Sequence, residues 1–152
     1  MTNHVHHTRS LTRSAISATV HCLTGCAIGE ILGLVVSTAL NLSNLPSIVL
    51  ATVLAFVFGY GLSIRPIRAA GLPWRRAARL TLAADTLSIA TMEVVDNAIV
   101  LVVPGAMAAG LLDGLFWWSL ALGLVIAFVV TVPVNRALIA RGRGHAVVHE
   151  LH

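Results

Sequence analysis

The sequence has no lysine, a single tyrosine and only two cysteines in 152 residues. Ten arginines and six acidic residues make up its fixed charge, 11% of the chain. About a quarter of an ordinary soluble domain is charged, so that class is excluded. Disorder is excluded as well, because it needs low hydrophobicity and high charge, and 57% of these residues are apolar. There is no glycine-rich phosphate loop and no Ser/His/Asp order of a hydrolase, so no enzyme class is indicated. The formal charge of +4 would suit a nucleic-acid binder, but the placement of the charges argues for a different partner, the lipid bilayer.

Long segments lack charge almost entirely. Between Arg13 and Arg65 lie 51 residues with one charge, Glu30, and between Arg79 and Arg136 lie 56 with no basic residue. A membrane-crossing helix needs about 20 apolar residues, so each segment accommodates two. Asn41–Pro46 divides the first, while Pro104-Gly105 and Asp113-Gly114 divide the second. Spans are predicted near 14–40, 46–64, 80–103 and 115–138. The arginines then fall as two before the first span, none in the first turn, five in the second loop, none in the third turn and three in the tail. That alternation is the positive-inside pattern and puts both termini in the cytoplasm. Trp74, Trp117 and Trp118 suit the interfacial belts. The expected fold is an all-α integral membrane protein, a four-helix transmembrane bundle in one domain, with tails 1–13 and 139–152. The first apolar stretch lacks a short signal core followed by a cleavage site and is read as retained. Four such helices leave little room for a large solute pathway.

Polar residues in lipid are costly, so each calls for a reason. The first span carries His21, Cys22, Cys26 and Glu30 on one half of a helix. Thiolate, imidazole and carboxylate together form a ligand set for a soft or borderline ion such as Cu(I) or Zn(II). The plainer reading of the cysteines is small apolar packing, and a thiol redox pair is a third. Gly25, Gly29 and Gly33 repeat every fourth residue, a small-residue pattern for close helix approach. They are the expected face of a homo-oligomer.

The third span carries Asp85, Met92, Glu93 and Asp96, with Asp85, Met92 and Asp96 on one narrow face. Apart from Arg136 near the end of the fourth, no arginine lies in any span to neutralise these acids. They fit either a bound cation or proton, or a helix–helix hydrogen-bond network with some acids protonated. Cys26 and Met92 lie equally far from their basic anchors, about 20 Å at 1.5 Å per residue, and Glu30 and Asp96 about 26 Å. Neighbouring first and third helices would therefore stack a soft layer beneath a hard one. In the tail, His145, His149 and His152 share one helical face. Short His-rich tracts read as metal binding or as incidental solvated residues.

His21–Glu30 (HCLTGCAIGE), Ala84–Asn97 (ADTLSIATMEVVDN) and Pro133–Arg136 with Gly144–His149 resemble a bacterial family of small multi-pass membrane proteins, a domain of unknown function. The resemblance implies a multi-pass protein of the bacterial inner membrane and supplies no reaction. From the residues themselves, the leading expectation is a protein that binds or moves a transition-metal cation, copper- or zinc-like. A non-transporting assembly partner and a thiol redox protein are the alternatives.

Overall fold

A computed structural model describes residues 2–69, 71 and 73–141. Four long helices form it: α1 (Thr2–Ala39), α2 (Asn44–Ala69), α3 (Trp74–Val102) and α4 (Gly114–Ala140). A short 3-10 turn, Ala106–Ala108, interrupts the α3–α4 connection, and no strand occurs among the described residues. The fold is all-α, as expected. α1 runs back to Thr2, so the helix backbone includes most of what the sequence assigned to a tail. Nothing stops it there, since no proline or glycine precedes Gly25.

Leu11–Ala39, Asn44–Arg65 and Gly114–Ala140 are long and apolar enough to cross a membrane. They overlap the first, second and fourth expected spans. α3 has the length, 29 residues, but any membrane-width stretch of it beyond Arg79 includes Asp85, Glu93 and Asp96. By composition it is a helix of mixed character. Its faces are sharply divided. Asp85, Glu93 and Asp96 are buried, whereas Leu82, Leu87, Val94 and Leu101 are each at least half exposed. Polar residues inside and apolar residues outside invert the arrangement of a soluble bundle.

The tightest seam joins α1 to α2. The four-residue link makes the two helices antiparallel, and Gly25, Gly29 and Gly33 oppose Gly59, Ala55 and Ala51 in turn. A methyl group added at Gly25 or Gly29 would overlap the backbone of the opposing helix. The glycine stripe, expected to be an oligomer face, packs against α2 of the same chain. The matching stripe Ala51-x-x-x-Ala55-x-x-x-Gly59 stands in the sequence at the same four-residue interval. Asn41, at φ 50°, ends α1 in a left-handed cap. Leu42 N–H donates to the Ser37 carbonyl at 2.9 Å and Asn41 N–H to that of Thr38 at 3.2 Å, the paired bonds of a Schellman motif.

α3 and α4 close the bundle, with α4 returning to α1 and α3 meeting α2. Cys22, Cys26, Ala55, Ile89, Met92 and Ala127 form the buried core. Tyr60 O–H donates to Thr86 Oγ1 at 2.8 Å and ties α2 to α3. The direction follows because the Thr86 hydroxyl donates to the Leu82 carbonyl.

Gly29→Ala is expected to cost about 1–3 kcal/mol, the usual range for overpacking a tight contact. Gly61→Ala, on the other helix of the seam but with open space around it, is expected to leave the unfolding midpoint unchanged. Thermal unfolding in detergent measures both.

Candidate functional site

The polar residues of the core fall into two layers. The outer one lies toward the α1–α2 turn. Cys26 Sγ sits 3.9 Å from Met92 Sδ, linking α1 to α3. The Glu93 carboxyl lies within hydrogen-bond reach of the Cys26 thiol and of Thr52 on α2. One helical turn further along both helices, the carboxyls of Glu30 and Asp96 face each other. The two levels expected from the sequence are therefore paired as the spacing required: Cys26 with Met92, Glu30 with Asp96.

Glu93 is 5% and Asp96 3% exposed. Glu93 Oε1 and both Asp96 carboxylate oxygens find no hydrogen-bond donor among the described residues. Ionised Glu30 and Asp96 offer only acceptors to each other, so a shared proton or a cation between them would relieve their repulsion. Asp96 also rests on α4 at Gly123, where a Cβ would overlap its carboxylate. Glycine at that position lets the acid reach across the bundle.

A cavity of about 410 Å³ opens above these acids. Its mouth is formed by the α1–α2 turn at Asn41 and Asn44 and by the 3-10 segment, and Glu30, Glu93 and Asp96 form its floor. The connecting segment is shaped by two bonds: Gly110 N–H donates to Asp113 Oδ2 at 2.7 Å, and Trp117 Nε1–H to the Leu111 carbonyl at 2.8 Å. The sequence had suggested little room for a large solute pathway. The eleven-residue α3–α4 connection, 103–113, contributes Ala106–Gly110 to the wall of this cavity.

The inner layer is different in kind. Asn135 Nδ2 donates to Thr19 Oγ1 at 2.8 Å, and Thr19 donates to the Ala15 carbonyl at 2.8 Å. Ser88 Oγ donates to Asn135 Oδ1. One amide on α4 thus binds α1 and α3 together, with donors and acceptors matched. Cys22 lies beside this layer, near Asp85 and Ser63. Thr19 and Asn135 were not singled out from the sequence. An amide in an otherwise apolar fourth span, two residues after Pro133, was a signal of the same kind as the acids.

Of the expected ligands, Cys26, Glu30, Met92, Glu93 and Asp96 come together, and Cys22 and Asp85 meet at the inner level. Both thiols are free and buried. His21 lies apart: it is exposed, and its Nδ1 is 2.8 Å from the Ser17 carbonyl of its own helix. Its position one residue before Cys22 turns it off the core face. His145, His149 and His152 fall outside the described residues. Among the described residues, no group of three or more His, Cys, Asp and Glu side chains is arranged to hold a metal ion. The converging set is mixed, a thiol, a thioether and carboxylates.

Fold and core together define an all-α protein with three helices long and apolar enough to cross a membrane and an acid-bearing fourth long helix packed among them. The chain belongs to the family described as Domain of unknown function (DUF4396), which matches residues 12–144. No curated protein and no solved structure matches it.

Asn135→Ala removes two inter-helix hydrogen bonds, each worth about 0.6 kcal/mol in a membrane bundle, for a loss of about 1 kcal/mol. Unfolding of detergent-solubilised protein measures it. Combination with Thr19→Ala is expected to cost less than the sum of the single changes, because both remove the same bond.

Proposed function

We propose that the protein binds a transition-metal cation, of copper- or zinc-like chemistry, inside a four-span bundle of the bacterial inner membrane and moves it along the bundle axis. The carrying observation is the buried contact between Cys26 and Met92, with the Glu93 carboxyl at the thiol and unpartnered carboxylate oxygens just above. Thiol and thioether sulfur suit a soft ion. The carboxylates supply the charge that compensates a cation taken out of water. Cys22 and Asp85 form a second stage on the inner side, and the cavity provides entry at the other end.

Four spans with both termini in the cytoplasm agree with the arginine distribution. The inward acids and outward leucines of α3 support its place in the membrane despite its composition. In the assembly-partner reading the polar residues only lock packing. The Thr19–Asn135–Ser88 clamp is what such a lock looks like, with each donor matched. Glu93 and Asp96 contrast with it, because Glu93 Oε1 and both Asp96 oxygens lack donors among the described residues.

Protein purified without a histidine tag is expected to carry a soft or borderline metal. Cys26→Ala and Met92→Leu should each lower its affinity with folding nearly intact, since both are small packing changes, and Asp96→Asn should weaken it through lost charge. Full metal content in all three variants, or none in the wild type, would return these residues to packing. A reporter after His152 should be active only in the cytoplasm and one at Asn44 only outside.

The tail histidines are tested separately. Binding needs neutral imidazole, with an unperturbed pKa of about 6.5. Any stoichiometry contributed by His145 and His149 should therefore be present at pH 7.5, fall away at pH 5.5, and be absent from the His145→Ala/His149→Ala double variant in a metal titration.

A further inference from the structure

The cavity above the acids has a size and a lining that a metal ion does not use. Its volume of about 410 Å³ lies in the range of roughly 300–1,000 Å³ typical of small-molecule sites. Its floor is acidic, yet Leu34, Ile48, Val100, Phe116 and Leu120, drawn from all four helices, supply apolar walls. Among the described residues, no arginine or histidine lines it. Asp96 is almost fully buried, borders the cavity, and has both carboxylate oxygens without a donor. A bare or hydrated inorganic ion seeks oxygen donors and gains nothing from such walls. A cation with its own apolar substituents uses both surfaces at once.

We propose that this cavity binds a compact organic ammonium ion, a substituted amine or quaternary ammonium. The charged nitrogen sits over Asp96 between Glu30 and Glu93, and its carbon substituents lie against the apolar walls. Phe116 adds an aromatic face of the kind that attracts such ions. The polar rim, Asn41 and Asn44 among it, meets the solvent-facing end of the ligand. The site does not rest on the metal reading: it uses the cavity and its acids, whereas the soft pair Cys26 and Met92 lies outside the lining.

The test is isothermal titration of the purified full chain in detergent with benzyltrimethylammonium and with neopentylbenzene, its uncharged carbon analogue. The ammonium ion is expected to bind saturably and at least about tenfold more tightly than the analogue, as a partly buried charge pair implies. Asp96→Asn should remove about tenfold of that affinity. Ser119→Phe should abolish binding by filling the cavity. The Ser119 hydroxyl bonds only carbonyls of its own helix segment, those of Leu115 and Phe116, so this change breaks no inter-helix bond. Met92→Leu should leave ammonium binding unchanged while lowering soft-metal affinity.

Equal affinity for the ion and its neutral analogue would overturn the proposal, as would wild-type binding by Asp96→Asn. If Ser119→Phe does not fold, those two comparisons still decide. Failure of wild type to bind metal, with ammonium binding intact, would remove the metal reading alone. Metal binding without ammonium binding would remove this one alone.

Discussion

The backbones of α1 and α2 meet along Gly25, Gly29 and Gly33 against Gly59, Ala55 and Ala51, and much else follows from that contact. Side chains at these positions would push the helices apart. On α1 the glycine stripe lies beside the stripe of Cys22, Cys26 and Glu30. Seating the glycines on α2 therefore turns the thiols and the carboxylate toward the bundle interior. α3 completes that interior by bringing Met92 to Cys26 and Asp96 to Glu30. A wider α1–α2 spacing would rotate or displace α1 and separate both pairs.

The polar residues divide by whether the protein satisfies them. Thr19, Ser88 and Asn135 exchange hydrogen bonds across three helices and need nothing more. Glu93 and Asp96 are as deeply buried, yet carry oxygens without donors. Burying an unsatisfied polar group costs several kcal/mol in an apolar medium, roughly 2–7 depending on the reference state. The fold tolerates this at adjacent levels, with a cavity leading to them. Gly123 contributes by leaving space for the Asp96 carboxylate on α4.

The architecture was largely legible because it rests on one-dimensional properties. Uncharged length located α1, α2 and α4, and equal distances from Arg13 and Arg79 anticipated which residues of α1 and α3 would meet. That reasoning worked because the rise per residue is constant along a helix, so equal sequence distances become equal heights along the bundle. It did less well where lateral position matters. The glycine stripe was recognised as an interface, but its occupant, α2, was visible only in a second stripe that had to be matched to the first. His21 shared a sequence cluster with Cys22 but faces away from the core.

The sequence by itself determined that the chain is helical and largely apolar, and how far along its helix each polar residue lies, since these depend on composition and rise per residue. It also determined that no arginine lies between Arg79 and Arg136, the stretch that holds Asp85, Glu93 and Asp96. Only the tertiary structure decided which stripe faces which helix, because rotation about each axis is set by packing with the other three. It alone opened a cavity of about 410 Å³ over the carboxylates, walled in part by the long α3–α4 connection. It alone joined Asn135 to Thr19, 116 positions away, a pairing that no local pattern encodes.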